Sequence, residues 1–350
     1  MCGIAGWIDC RRLCDSAAIM RRMAQTMVPR GPDSGGFYTD DNCALAHRRL
    51  SVIDPARSAQ PMTRKTALDS YTIVYNGELY NTAEIRSELE STGISFTSSG
   101  DTEVLLWAYI TWGEACLDKL NGIYAFAVWQ EKEKQLFLAR DRIGVKPLFY
   151  YEYAGGLIFA SEIKTLLAHP MIEPVIDRDG IAQIMLLGPA KKPGSGIFKG
   201  IREIRPAECA MYCRCGLRKR TYWSLHALPH KETAEETEQH IAYLLTDAIK
   251  RQLVSDVPLC TMLSGGLDSS IISAVAAKEF EQNGRQLTTY SIDYKDNDKN
   301  FHSSKFQPDM DAPWIRKMSA FIGSKHINVE VDTPALTDAL ELSTYARDLP

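Results

Sequence analysis

No apolar run in this 350-residue chain approaches the ~18 residues that a membrane-spanning helix requires. The first twenty residues carry Asp9, Arg11, Arg12 and Asp15, which interrupt the apolar core of any secretory signal. Excess positive charge is missing as well. With 40 basic against 44 acidic residues the net charge is −4, so neither nucleic acid nor an anionic membrane is an expected partner. Nine cysteines are present without one CxxC pair, and Cys213 and Cys215 stand one residue apart with no second pair to complete a zinc site. These thiols read as reduced and the compartment as the cytoplasm. His226, His230 and His240 fall in a polar stretch and read as solvated surface, so no metal ligand set is expected.

What remains is an ordinary globular composition, 45% apolar and 24% charged, in a chain long enough for two or three domains that each bury a core. The most reactive arrangement is at the front. The chain opens MCGIAGWID, so removal of Met1 leaves Cys2 with a thiol and a free α-amine on one residue. An α-amine with a pKa of about 7.7 to 8.0 is partly neutral near neutral pH and can take the thiol proton, which yields the nucleophilic thiolate.

Farther along, Ile19, Met20, Met23 and Met27 recur at helical spacing and read as core. RGPDSGGF, from Arg30, reads as a turn-rich loop whose glycines and proline set unusual backbone angles. In ALAHRRLSVID the charges of His47, Arg48 and Arg49 read by default as exposed, although an arginine there could grip a carboxylate as a bidentate fork. YTIVY reads as a strand, and the Asn76-Gly77 after it as a turn, or as an amide and a glycine N–H side by side for an oxyanion. Asp101, in SGDTEV, stands where a helix N-cap is expected, or where an ammonium group could be held. Residues 124–129 and 135–142 predict a strand pair, and the whole an α+β layered domain reaching to about residue 200.

MCGIAGW, RGPD, HRRLSVID, NGELYN, SGDTEV and RDRIGVKPLFY, in this order, resemble the class II glutamine amidotransferases of the N-terminal nucleophile type. The resemblance implies an αββα sandwich that hydrolyses the side-chain amide of glutamine through a cysteine acyl-enzyme. It assigns nucleophile and base to Cys2, the oxyanion hole to Asn76 and Gly77, the substrate carboxylate to Arg49 and the substrate amine to Asp101. Leu50, Ser51, Val52, Ile53 and Glu78 are expected to line the same pocket.

The second half begins with a linker and hairpin over residues 201–234, followed by a long amphipathic helix over residues 235–253. Then VPLCTML, a buried-type strand, runs into SGGLDSS and a further helix. Strand, glycine-rich turn and helix point backbone N–H groups at an anion, and no GKS or GKT closes the loop as in a Walker motif. The string resembles the pyrophosphate loop of the ATP pyrophosphatases. That resemblance places ATP on Leu263, Ser264, Gly265, Gly266, Asp268 and Ser269, with Ile292 beside the adenine.

The two halves together, with FQPDMDAPWIRKMSAFIG and the closing YARDLP, resemble the glutamine-hydrolysing asparagine synthetases. This implies a domain over residues 1–200 that releases ammonia, and an α/β, partial doubly wound domain over residues 235–350 that forms β-aspartyl-AMP from aspartate and MgATP. Ammonia would pass between them inside the protein, and a homodimer is left open as the assembly. The family's synthetase domain continues beyond Pro350 and its SGEGSDE-type loop is not present in this chain, so the expectation is a chain that hydrolyses glutamine without making asparagine. The alternatives are another class II amidotransferase or a fragment that binds glutamine as a regulator.

Overall fold

The computed structural model describes residues 1–11, 16–188, 190–305 and 308–349. Expectations placed on Arg12, Asp15 and the first two residues of FQPDMDAPW lie outside them. Its contacts divide the chain into one unit of Met1–Ala227, joined by the residues from Asp348, and a second unit of Leu228–Arg347.

In chain order the first unit contains β1 (Gly3–Asp9), α1 (Ser16–Thr26), β2 (Ser34–Thr39), β3 (Cys43–Arg49), β4 (Met62–Lys65) and β5 (Ser70–Leu79). Helices α2 (Thr82–Ser91), α3 (Asp101–Trp112) and α4 (Cys116–Lys119) follow, then β6 (Gly122–Gln130), β7 (Gln135–Arg140), β8 (Phe149–Tyr153) and β9 (Gly156–Ala160). The unit closes with α5 (Ile163–Leu167), α6 (Arg178–Leu187), β10 (Ile201–Glu203), β11 (Glu208–Cys213) and β12 (Gly216–Thr221). The strands form two six-stranded sheets, ordered β10-β8-β9-β1-β3-β2 and β12-β11-β7-β6-β5-β4, with antiparallel pairing between neighbours.

Period-two alternation on these strands explains why they read as continuous apolar runs rather than as half-polar ones. Along β1, Ile4 and Ile8 point into a cluster shared with Val74, Ala127 and Trp129 of the other sheet, while Ala5 and Trp7 point to α1 and α5. Along β6, Ala125 and Ala127 enter that same inter-sheet cluster, and Tyr124, Phe126 and Val128 enter a third one under α2 and α3. Three apolar layers therefore separate four structural layers, helix on sheet on sheet on helix. Met20, Met23 and Met27 are fully buried as the helical spacing predicts, and Ile19 packs against them partly exposed.

The second unit contains α7 (Ala234–Arg251), β13 (Cys260–Met262), α8 (Leu267–Gln282), β14 (Thr288–Tyr294), α9 (Asn297–Asn300), α10 (Asp311–Phe321), β15 (Lys325–Val331) and α11 (Thr333–Arg347). β13, β14 and β15 make a parallel three-stranded sheet. Helix α7 starts at a full capping box, Thr233 with Glu236, as an S/T-x-x-E pattern predicts. VPLCTML is not the buried strand expected of it: only Thr261 of β13 is buried, and Cys260 and Met262 are exposed.

Candidate active site

Cys2 lies one residue before β1, so a strand flanked on both sides by pairing partners fixes where its thiol stands. Gly3 follows because a Cβ there would come within 2.8 Å of the Met27 sulfur. Arg30, from RGPD, donates through Nε to the Cys2 carbonyl at 2.7 Å and is itself ion-paired to Glu162 at 3.2 Å. The Cys2 thiol donates to the Leu50 carbonyl at 3.6 Å, and burial raises its pKa. Met1 is in place, its amine donating to the Arg30 carbonyl at 3.1 Å.

RGPD and HRRLS interlock. A Cβ on Gly31 would stand 2.4 Å from the Arg48 backbone, and the Asp33 carboxylate accepts from the Ser51 N–H at 2.7 Å. The glycines of RGPDSGGF are thus required for close approach and not for unusual angles; none of Gly31, Gly35 and Gly36 has a positive φ, and the segment from Ser34 is strand β2. Exposed charge is also the wrong account of His47 and Arg49. His47 is buried, donates through Nε2 to the Tyr75 carbonyl at 3.2 Å, and is held neutral by burial, with its pKa lowered to about 3. Arg49 is buried and donates to the carbonyls of Ile53, Asp54 and Pro55, which uses three of its five N–H groups and pins the loop bearing Val52 and Ile53.

Asn76 and Gly77 are not a turn. They continue β5, paired with Ala125 and Tyr124 of β6. The N–H and the carbonyl of Tyr124 are both engaged by Asp141, so its partner Gly77 turns its own N–H away from β6. Alternation confirms the direction on either side of it: the Tyr75 N–H goes to Gln60 at 2.7 Å and the Leu79 N–H to Asp101 at 3.2 Å. Between them Gly77 lines a cavity, as do Cys2, Arg49, Asn76 and Asp101. Asn76 is 1% exposed, and among the described residues its Nδ2 has no hydrogen-bond partner. Burying an amide donor unpaired costs about 1–3 kcal/mol, an expense that a structure retains only for a reason.

Asp101 does not cap α3; Gly100 does, without a side-chain bond, and Asp101 is the first helical residue. Its carboxylate accepts from the Tyr75 hydroxyl at 2.9 Å as well as from Leu79, and burial raises its pKa to about 6. A cation arriving beside it would relieve that penalty. The cavity therefore brings together a thiol, a buried side-chain amide, an outward backbone N–H, a buried guanidinium and a buried carboxylate.

Residues 1–223 match the family described as glutamine amidotransferase domain, and residues 240–350 match the asparagine synthase family. The chain belongs to the glutamine amidotransferase family. It is 48% identical over 352 residues to asparagine synthetase [glutamine-hydrolyzing] 3 of Bacillus subtilis, a match covering 100% of this chain and 57% of that protein. It is 34% identical to synthetase 1 of the same organism, over 84% of this chain and 46% of that one, and 32% identical to asparagine synthetase B of Escherichia coli, over 79% and 45%. The chain spans about half the length of the curated relatives it matches.

Within the amidotransferase domain, the cavity collects Leu50, Val52, Ile53 and Glu78 along with the residues above, while Ser51 is turned aside to Asp33. It also contains Ser58, Gln60, Tyr75, Thr102 and Lys146, which the sequence reading does not single out. Tyr75 was within reach, since strand alternation places it on the same face as Gly77 and thus beside α3. Gln60 was not. It comes from an irregular stretch, joining the Tyr75 N–H to the Thr102 hydroxyl across elements with no local signal between them.

In the second unit SGGLDSS forms the expected strand–loop–helix. Gly265 has φ +79°, a conformation that favours glycine, and Gly266 caps α8, whose first-turn N–H groups are unpaired within the helix. The Ser264 N–H and hydroxyl both meet the Ser269 hydroxyl, at 3.2 and 3.0 Å. Leu263 is buried, and Ile292 is 58% exposed on β14. Among the described residues no three His, Cys, Asp or Glu side chains gather where they could hold a metal ion.

Proposed function

We propose that residues 1–200 hydrolyse glutamine from Cys2 after loss of Met1, and that residues 235–350 belong to a synthetase that uses the ammonia to amidate aspartate. The orphan Asn76 amide beside the outward Gly77 N–H, in one cavity with the Cys2 thiol, carries the first part. The α-amine takes the thiol proton, and Sγ attacks the side-chain carbonyl carbon of glutamine. Asn76 Nδ2 and the Gly77 N–H donate to the oxygen as it becomes negative. Collapse expels ammonia, which leaves with the proton returned by the amine, and a γ-glutamyl thioester remains. Water, deprotonated by the same amine, then releases glutamate. Arg49 holds the α-carboxylate and Asp101 the α-ammonium, groups whose charge does not change during the reaction, with Leu50, Ser51, Val52, Ile53 and Glu78 around them.

The second part is supported by the asparagine synthase match over residues 240–350 and by the names of the relatives. In it, the N–H groups and hydroxyls of Ser264–Ser269, with Asp268, take the phosphates of ATP, and Leu263 and Ile292 flank its adenine. ATP would activate aspartate as β-aspartyl-AMP, releasing pyrophosphate, before ammonia displaces AMP. The test is release of glutamate and ammonia from glutamine by the purified chain, with Cys2→Ala as blank, followed by an assay for asparagine with aspartate, MgATP and ammonium. Glutamate at the blank rate would remove the first part. Asparagine above the level found without ATP would support the second part.

A further inference from the structure

Lys146 lines the Cys2 cavity and is 7% exposed, yet among the described residues it makes no ion pair. Its loop is rigidly constructed. The buried Asp141 carboxylate accepts from the N–H groups of Ile143, Val145 and Lys146, and Arg140 donates to the Lys146 and Gly144 carbonyls while paired to Glu203 at 2.8 Å. A loop held this way presents a buried ammonium to the cavity at a fixed place.

Four other charged groups in or beside the cavity are already committed. Arg30, after α1, is held by Glu162 and the Cys2 carbonyl, and Arg49, at the end of β3, by three carbonyls. Asp33 binds the Ser51 N–H, and Asp101, on α3, binds Tyr75 and Leu79. Glu78, on β5, lines the cavity and acts electrostatically on Lys146. Lys146 lines the same cavity as Met1 and Cys2, whose amine and thiol bracket the Cys2 nitrogen, and the Met1 amine there has its pKa lowered first by burial and further by the Lys146 charge. Building on the glutaminase reading, we propose that Lys146 is a positioning residue of electrostatic kind, whose charge keeps the α-amine of mature Cys2 neutral near neutral pH and so available as base. Burial disfavours the charge of Lys146 and lowers its pKa, while Glu78 and the Cys2 thiol, facing the same cavity, support the charged form.

The experiment is the pH profile of kcat/KM for glutamate release by the full chain, its Lys146→Met variant and its Lys146→Arg variant, each shown by intact mass to lack Met1 and by melting to be folded. Methionine keeps the apolar stem and removes the charge. The acidic limb should move up by about one pH unit in Lys146→Met, a tenfold loss of kcat/KM below the limb with little change above it, and Lys146→Arg should keep the limb in place. A Lys146→Met profile lowered equally at every pH, with its limb unmoved, would overturn the proposal and leave Lys146 a structural residue. A wild-type chain that releases no glutamate would instead remove the glutaminase reading, and this proposal with it.

Discussion

In the first unit β5, which carries Asn76 and Gly77, is covered on both faces, by the inter-sheet layer and by α3, whereas β13, which leads into the Ser264 loop, buries only Thr261. The buried apolar residues of the second unit are Leu263, Ala276, Phe280, Leu287 and Ile315 among those described, against three extensive layers in the first. The contrast shows two ways of holding reactive groups. Asn76 can keep an amide unpaired among the described residues because close packing over-determines its place, while the Ser264–Ser269 loop relies on local bonds among Ser264, Gly266 and Ser269.

The largest effect expected is from Cys2→Ala, which should reduce glutamate release to background with the fold retained by circular dichroism. Asn76→Ala should lower kcat by roughly 10² to 10³ and leave KM near its starting value, because an oxyanion donor acts on charge that develops only in the transition state. Arg49→Ala and Asp101→Asn should chiefly raise KM. Equal kcat losses for all three, with KM unmoved, would break this division of roles.

Packing is tested next. Phe126→Ala should cost about 3–5 kcal/mol in the first unit, and Phe280→Ala, at a site 8% exposed in a thin cluster, on the order of half that. Denaturation read by hydrogen exchange in each unit checks both. Equal costs, or slower exchange in α8 than in β6, would erase the contrast.

Acid should also weaken the first unit. His47 and His169 are buried neutral, with pKa values lowered by burial to about 3 and about 4. Between pH 6.5 and those values the unfolded chain binds protons that the folded chain does not, so stability falls as pH falls, by up to ~1.4 kcal/mol per pH unit for each histidine. Asp101, raised to about 6 by burial, works the other way between pH 6 and 3.8 and offsets part of the loss. Urea midpoints from pH 7 to 4 should decline, with a shallower slope in His169→Gln; a flat series would contradict the burial argument. Glutamine KM should also rise as pH falls through about 6, where Asp101 loses its charge.

Much of the first site was legible because its motifs are short and its chemistry local. Cys2 is singled out by its position, short strands separated by turns point to an α+β layered domain, and the αββα order came with the resemblance. What the sequence hid were directions and distant partners. Asn-Gly is ordinarily a turn, and nothing within NGELYN says that Asp141 holds Tyr124 across the sheet and so turns the Gly77 N–H outward. His47 and Arg49 look like surface charge until the Tyr75 carbonyl and the loop carbonyls of residues 53–55 are seen to receive them. Asp101 looks like a cap because helix starts favour such residues, but its acceptors are filled from β5. Lys146 gave no periodic signal, since its place is set by a loop that Asp141 and Arg140 shape.

The account depends most on the α-amine of Cys2, which exists only after Met1 is removed. Glutamate release should therefore be compared between the trimmed chain and a chain carrying a short extension ahead of Met1, with the N-terminus of each established by intact mass. The trimmed form should turn over glutamine and the extended form should stay at the Cys2→Ala background, while equal turnover by the two would contradict an N-terminal base.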